Sequence, residues 1–203
     1  MINAEGISPI DLNPENLHQS HPAHIAVGKA NLVLNGVEAE FLQGFMGNTP
    51  GVIAPFRTES SGVIEMPCLD VAHIMETRGI DRLTILHCDA QGWELRVLEQ
   101  AAPLFKARRI DWVFVSTHHH YISGDPLTHQ RCLALLRQLG ATIEVEHEVH
   151  ESFSGDGLIC ARFCDAPKGF QTPPISHNRV SESLFRNPLY DLAQIYERGQ
   201  AQK

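Results

Sequence analysis

The sequence has few basic residues and no long apolar segment, and these absences exclude broad classes of protein. Sixteen lysines and arginines stand against 24 aspartates and glutamates, which gives a formal net charge of −8. Nucleic-acid binding relies on clustered Lys and Arg to release counterions, so no nucleic acid is expected as a partner. No run approaches the roughly 18 apolar residues of a membrane helix, and the N-terminus has no basic region followed by an apolar stretch. We therefore expect a cytoplasmic protein without a membrane span.

Disulfide bonds are not expected either. The five cysteines are odd in number and are scattered through apolar stretches. They are Cys68, Cys88, Cys132, Cys160 and Cys164. This pattern is typical of reduced, buried thiols. At 203 residues the chain is long enough for one domain with a proper core, and too short for two comfortable ones.

Four short segments rich in Ile, Val, Leu or Phe predict strands of a sheet that is buried on both faces. They are residues 82–88, 110–116, 141–148 and 157–163. Apolar residues recur at helical spacing over 93–105 and 127–139, between the first three strands. This alternation indicates a wound parallel sheet. The segment between the last two strands is too short for a crossover helix, so these strands are expected to form an antiparallel hairpin.

Weaker signals lie on both sides of this region. Residues 13–34 predict a helix that stops at Asn35-Gly36, a good C-terminal signal. We expect strands over 39–45 and 64–67 and a short helix over 69–78. Beyond residue 164 the sequence shows little periodicity, apart from a terminal helix predicted over 189–198. The expected organisation is therefore an α/β domain over residues 1–164 and a C-terminal extension over residues 165–203.

The segment over residues 80–99 carries a specific combination of residues. Asp89, Gln91, Gly92 and Glu94 fall at the junction between the first of these strands and the helix that follows. The segment resembles the diagnostic segment of the FkbM-type S-adenosylmethionine-dependent methyltransferases, with His87 standing where that family usually has lysine. Residues 11–17 and 69–70 are similar to two further elements of the family. The resemblance covers about residues 7–164.

This resemblance implies a fold, a cofactor and a substrate class. The fold would be a Rossmann-like methyltransferase sheet, mostly parallel and closed by the C-terminal antiparallel hairpin. The cofactor would be S-adenosyl-L-methionine, and the acceptor a hydroxyl of a glycan or a small-molecule secondary metabolite. Asp11, Gln91 and Glu94 would bind the cofactor, Asp11 by accepting hydrogen bonds from the ribose hydroxyls. Glu94 is equally explained as a first-turn carboxylate that complements the helix dipole.

Asp89, His87 and His118 are the expected catalytic residues. Asp89 would assist proton removal or orient the methyl group, and a role as a helix cap would also explain it. Histidine titrates near neutral pH, so His87 could act as a general base, although a hydrogen-bonded core histidine is the commoner outcome inside a strand. His118 directly follows the second strand of the series and would serve as a base or contact the substrate.

One element of the family is missing. Methyltransferases of this class place a first strand and a glycine-rich loop before the acidic ribose ligand, whereas only ten residues precede Asp11, with Gly6 as their single glycine. The Gly155-Asp156-Gly157 motif precedes a strand rather than a helix, so it predicts a tight turn instead of a nucleotide-binding loop. We therefore expect an N-terminally incomplete domain whose first strand is missing.

Two other classes of function stay open. One is a non-catalytic methyltransferase-like domain kept for binding a partner or carbohydrate. The other is a metal enzyme, since histidines cluster in the last part of the domain and imidazole is a common metal ligand. The histidines are His118, His119, His120, His129, His147 and His150. No Cys-x-x-Cys or His-Glu-x-x-His motif accompanies them, so no metal is expected. Apolar residues of the C-terminal extension, such as Tyr190 and Ile195, leave a homodimer open.

Overall fold

A computed structural model describes residues 21–58, 62–151 and 156–172 of the chain. These residues fall into two compact units. The first comprises residues 21–45, 49–58 and 62–69, and the second comprises residues 46–48, 70–151 and 156–172. Within these ranges, every helix is too short or too polar to cross a membrane.

The first unit contains a helix and a three-stranded sheet. Its elements are α1 (His21–Leu34), β1 (Phe45–Met46, of which Phe45 belongs to this unit), β2 (Ile53–Thr58) and β3 (Gly62–Leu69). The sheet has the order β1-β3-β2, and β2 pairs with β3 as an antiparallel hairpin. The helix ends at the predicted signal, where Gly36 takes a φ of 63° and the Val37 N–H donates to the Leu32 carbonyl. A left-handed glycine of this kind satisfies carbonyls that the helix end leaves open.

The second unit contains a four-stranded sheet and the remaining helices. Its elements are α2 (Val71–Thr77), β4 (Leu83–Cys88), α3 (Glu94–Lys106), β5 (Ile110–Thr117), α4 (His120–Ser123), α5 (Thr128–Gln138), β6 (Thr142–His147), a 3₁₀ turn (Val149–Glu151) and β7 (Gly157–Arg162). The sheet has the order β4-β5-β7-β6. Strands β4 and β5 are parallel, whereas β7 is antiparallel to both β5 and β6.

The expectation of a mostly parallel sheet is wrong for this sheet. Strand β7 follows β6 through a short connection, so it must run antiparallel to β6, and it inserts between β5 and β6. Only the β4/β5 pairing is therefore parallel. Strands β4, β5 and β6 still run in one direction, and the C-terminal hairpin is present. The architecture is α/β with mixed sheets and is consistent with a Rossmann-like fold.

The core of the second unit is built from α3, α5 and the central strands. Helix α3 buries an apolar face whose residues recur at helical spacing, and β5 buries alternate residues. The buried set includes Val97, Leu98, Ala101, Leu104, Phe105, Ile110, Val113, Val115, Cys132 and Leu136. The rings of Phe105 and Phe163 stack with centroids 4.4 Å apart. Each fully buried side chain of this size contributes about 1.5–3 kcal/mol, so this face accounts for much of the unit's stability.

The apolar pattern predicted most of the second unit. All four predicted strands and the helices over 93–105 and 127–139 are confirmed within a residue or so as β4, β5, β6, β7, α3 and α5. The strand predicted over 39–45 shortens to β1, and β2 was not predicted. The predicted helix over 189–198 and the start of the helix predicted over 13–34 lie outside the described residues, and the expectation about the first strand stays a prediction. The boundary at residue 164 stays a prediction.

Candidate active site

The candidate site lies where β4 and β5 end. These strands are parallel, and Cys88 at the end of β4 lies opposite Val115 of β5. Asp89 follows β4 directly, and His118 follows β5 directly. Because parallel strands end at the same edge of a sheet, these two side chains meet there. This edge is where open α/β sheets bind their ligands.

Backbone N–H groups of the turn between β4 and α3 bind the carboxylate of Glu94. Gln91 and Gly92 take positive φ values of 49° and 96°. The backbone N–H groups of Ala90 and Gly92 both donate to Oε1 of Glu94 at 3.0 Å. Glu94 is the first residue of α3 and is fully buried. The two N–H donors and the positive end of the helix dipole stabilise this buried carboxylate.

Glu94 also binds His118. Oε1 of Glu94 lies 2.7 Å from Nδ1 of His118, which is only 4% exposed. An ionised carboxylate can only accept, so Nδ1 of His118 donates in this contact. The other ring nitrogen, Nε2, lies 3.3 Å from Oδ1 of Asp89 and 4.0 Å from Oδ1 of Asp156. The imidazole therefore connects one buried carboxylate to two carboxylates whose side chains are 48% and 33% exposed.

Close backbone packing fixes the turn that holds Glu94. A Cβ on Gly92 would lie 2.6 Å from Cα of Ser123 and 3.2 Å from the carbonyl oxygen of Ile122. Ser123 is the last residue of α4, which begins two residues after His118. Only glycine combines this close approach with a positive φ. The turn after β4 and the helix after β5 are thus packed directly against each other.

A second hydrogen-bonded chain lies beside the first. Nε2 of His129 lies 3.0 Å from Oε1 of Glu146, and Nδ1 lies 2.7 Å from Oγ1 of Thr117. Because the carboxylate accepts the Nε2 proton, Nδ1 accepts the Thr117 hydroxyl proton. Thr117 and His129 are both buried, and a Cβ on Gly157 would clash with both of them, at 2.5 Å from Nδ1 of His129. This chain uses both nitrogens of its imidazole and ends on a buried hydroxyl.

The carboxylates give the site a negative field. Burial raises the pKa of Asp156, and the charges of Asp89 and Glu94 raise it further against the opposing effect of His118. Burial, together with the same two carboxylates, raises the pKa of the Cys88 thiol to about 12. Cys88 is therefore a neutral thiol at neutral pH and not a nucleophile. A field of this sign favours a ligand that carries positive charge.

The structure brings together half of the predicted site residues, namely Asp89, Glu94 and His118. His87 lies on β4 with an exposed side chain, and Gln91 is exposed in the following turn. Within the described residues, neither makes a polar contact with those three. Asp11 lies outside the described residues. The roles of all six in catalysis and cofactor binding stay predictions.

The two carboxylate oxygens of Glu94 have different surroundings. Its Oε1 is occupied by donors of the chain itself, as described above. Its Oε2 is buried and has no hydrogen-bond partner within the described residues. One buried oxygen of this residue is therefore left to accept a hydrogen bond from a ligand or a water molecule.

Sequence reasoning missed Asp156 and the chain that runs through His129. The Gly155-Asp156-Gly157 motif indicated a turn, but not which strand end it would face. Gly157 pairs with Thr117, and this register brings Asp156 next to His118. The position of Asp156 depends on the pairing of β7 with β5, and local periodicity in the sequence does not predict which strands pair.

The histidines do not assemble into a metal centre in the part of the chain that the structure describes. In residues 21–58, 62–151 and 156–172, no group of three or more His, Cys, Asp or Glu side chains is arranged to hold a metal ion. His118 and His129 instead direct their ring nitrogens toward carboxylates and a hydroxyl. The side chain of His150 lies outside the described residues.

Comparison with known proteins identifies one family. The model of the family described as "Methyltransferase FkbM domain" matches residues 7–143, well over half of the chain. The matched region includes Asp89, Glu94 and His118, together with the strands and helices that position them. No curated protein and no solved structure shows a significant match.

Proposed function

We propose that this chain, which belongs to the FkbM methyltransferase family, uses S-adenosyl-L-methionine to methylate a hydroxyl group of its acceptor. The observation that carries the proposal is the buried contact between Glu94 and Nδ1 of His118. It leaves Nε2 of His118 facing Asp89 at the carboxyl ends of β4 and β5. This arrangement offers a basic nitrogen, a fixed orientation for it and an acidic rim, all at the edge where ligands of this architecture bind.

The chemistry of these residues fits the proposed cofactor. S-adenosylmethionine carries a cationic sulfonium and several N–H and O–H donors, and when bound it supplies an electrophilic methyl group. The half-exposed carboxylate of Asp89 complements a positive charge, and Oε2 of Glu94 is a buried acceptor without a partner in the described residues. Asp89, Glu94 and the adjacent Gln91 are therefore the described residues that would hold the cofactor.

His118 would receive the proton of the acceptor. A hydroxyl that is methylated must lose its proton, and Nε2 of His118 is the ring nitrogen directed toward the site edge. Glu94 keeps the opposite nitrogen protonated, so the lone pair of a neutral ring is placed at Nε2. The carboxylate of Asp89, 3.3 Å from Nε2, would stabilise the positive charge that the ring gains with this proton. General-base catalysis of this kind contributes roughly 10²–10⁴ in rate.

Exposed aromatic residues that are close in sequence to the site residues support a glycan or a ring-containing metabolite as acceptor. Trp93 precedes Glu94 and is 44% exposed, and Tyr121 follows His118 by three residues and is 63% exposed. Exposed aromatic rings provide an apolar face with a polar edge, which suits ligands that combine ring faces with hydroxyl groups.

Calorimetric titration of the full chain with S-adenosylmethionine and S-adenosylhomocysteine tests the cofactor. We expect micromolar binding of both. Asp89→Asn should weaken binding of the cationic methyl donor about tenfold, which corresponds to the loss of one charge-assisted contact, and should affect the neutral product less. Glu99→Gln, which removes a surface carboxylate of α3, is the matched control and should bind as the wild type does.

His118→Gln separates binding from chemistry. The variant should bind S-adenosylhomocysteine like the wild type while transferring labelled methyl to acceptors roughly 10²-fold more slowly. If the folded wild-type chain binds neither form of the cofactor, the proposal fails, and the chain is a methyltransferase-like binding domain instead. Equal loss of affinity in Asp89→Asn and Glu99→Gln would also contradict the assigned site.

A further inference from the structure

A cavity lined in part by arginine side chains lies at the opposite edge of the four-stranded sheet from the candidate active site. It has a volume of about 430 Å³ and is lined by three arginines, Arg82, Arg108 and Arg162. Arg82 precedes β4 and Arg162 ends β7, so the cavity lies where β4 and β5 begin. Strand β5 has eight residues and separates this edge from the candidate active site by about 23 Å.

The guanidinium groups of Arg82 and Arg162 are each held by a carboxylate that does not line the cavity. Arg82 forms an ion pair with Asp111, and Nε of Arg162 donates to Oε1 of Glu144 at 2.9 Å. Neither Asp111 nor Glu144 lines the cavity. These contacts orient the arginines without placing the paired carboxylates inside the cavity.

Arg108 occupies an unusual backbone position. It takes a φ of 54° two residues after the last residue of α3, where the N–H of Arg109 donates to the carbonyl of Leu104. This left-handed position at a helix C-terminus normally holds glycine, since a side chain there costs about 1 kcal/mol. Nη1 of Arg108 donates to the Phe163 carbonyl at 2.6 Å, which fixes the side chain beside the cavity. An arginine that occupies a strained backbone conformation and has a fixed side chain is a candidate for a binding role.

The arginines retain donors for a ligand. Nη1 of Arg82, Nε and Nη2 of Arg108 and Nη2 of Arg162 have no hydrogen-bond partner within the described residues. Asp165 is the carboxylate among the lining residues, and Asp111 and Glu144 balance the charges of Arg82 and Arg162 from outside the lining. Within the described residues, Arg108 donates to a backbone carbonyl and its charge is not paired with a carboxylate. Guanidinium groups bind phosphate oxygens with good geometry, and a phosphate group offers three acceptor oxygens.

We propose that this cavity binds the phosphate group of a small molecule. The ligand is a phosphate dianion, either free or as a monoester, held by Arg82, Arg108 and Arg162. Because the cavity lies far from the candidate active site, a phosphate group bound there is separate from the hydroxyl that would be methylated. The proposal does not depend on the methyl-transfer function.

Calorimetric titration of the full chain with inorganic phosphate in low-salt buffer tests the site. We expect a dissociation constant in the millimolar range or tighter for the wild type. Arg108→Gly removes one guanidinium while supplying the residue that its backbone position prefers, so the variant should fold. It should bind phosphate at least about tenfold more weakly, because it loses charge-assisted hydrogen bonds. Arg96→Gln removes one charge from the exposed face of α3 and should bind like the wild type.

Parallel titrations with glycerol phosphate and acetate identify the ligand chemistry. Tighter binding of the monoester indicates an organic phosphate, and equal binding indicates free phosphate; both outcomes support the site. Absence of phosphate binding, equally tight binding of acetate, or equal weakening by Arg108→Gly and Arg96→Gln overturns the proposal. If Arg108→Gly loses its thermal unfolding transition, Arg82→Gln, at a position with a 56% exposed side chain, provides the same comparison.

Discussion

Replacing Glu94 with glutamine tests whether the charge of this buried carboxylate, rather than its shape, holds His118. Oε1 of Glu94 accepts hydrogen bonds from two backbone N–H groups and from Nδ1 of His118. Glutamine preserves the size of the side chain and one carbonyl oxygen. It removes the charge and places an NH₂ group where Oε2 is buried without a partner in the described residues.

The cost follows from the difference between charged and neutral hydrogen bonds. Hydrogen bonds to a charged group are worth about 1.5–3 kcal/mol and neutral ones about 0.5–1.5 kcal/mol, so each of the three contacts should weaken by about 1 kcal/mol. An unsatisfied buried NH₂ group adds about 1–3 kcal/mol. Relief from burying a charge offsets part of this loss. We expect Glu94→Gln to lower the free energy of unfolding by about 2–4 kcal/mol.

A double-mutant cycle isolates the contact with His118. Urea unfolding of the wild type, Glu94→Gln, His118→Gln and the double variant should give a coupling energy of about 1–2 kcal/mol. The cycle of Glu99→Gln with His118→Gln is the control, since Glu99 contacts Arg96 on the outer face of α3, and its coupling should be near zero. A Glu94–His118 coupling below about 0.5 kcal/mol would refute the idea that Glu94 positions the imidazole.

Three further predictions concern packing, thiols and pH. Gly157→Ala should lower the free energy of unfolding in urea by about 1–3 kcal/mol, because its Cβ would clash with Thr117; a change below about 0.5 kcal/mol would contradict this packing. Cys164 is half-exposed and should react with a thiol reagent in native protein at pH 8. Burial raises the pKa of Cys88 to about 12, so only about 1 in 10⁴ of its thiol groups is ionised at that pH and it should not react. Loss of the fast reaction in Cys164→Ser checks the assignment. Burial raises the pKa of Asp156 above 3.8, so the folded state binds this proton more tightly and its ionisation destabilises the fold as pH rises. Asp156→Asn should therefore be more stable than the wild type at pH 7, and this gain should disappear below pH 3.8; an equal gain at both pH values would contradict it.

Local sequence patterns predicted the elements of the second unit because each one buries a regular apolar face. They also predicted that Asp89 and His118 would each follow the end of a strand of one sheet, and the parallel pairing of β4 with β5 brings the two together. Strand order was beyond this reasoning. The position of β7 beside β5 depends on pairing between residues far apart in the chain, and that pairing is what brings Asp156 to His118.

Strand β2 shows a different limit of sequence interpretation. It contains Pro55, which cannot donate to a neighbouring strand and argues against a central strand. The sheet order β1-β3-β2 places β2 at an edge, where proline is tolerated. The positive φ of Gln91 was equally hidden, because left-handed residues other than glycine have no reliable sequence signal. Without that turn, the convergence of two N–H groups on Glu94 could not be predicted.

Two neighbouring imidazoles in this unit are each bound to a glutamate, yet only one of them is suited to chemistry. His129 is bound by Glu146 and uses its second nitrogen to accept from the buried Thr117 hydroxyl, so no lone pair remains for a substrate. His118 is bound by Glu94 through Nδ1, and its Nε2 faces Asp89, whose side chain is 48% exposed. In the first chain the accepting nitrogen faces a buried hydroxyl, and the partly exposed end is the carboxylate of Glu146, whose side chain is 33% exposed. In the second chain the nitrogen that is not bound to the buried glutamate faces the exposed edge of the site. That difference in what the second nitrogen of each imidazole faces, and not the residue types in each chain, is the reason to assign proton transfer to His118.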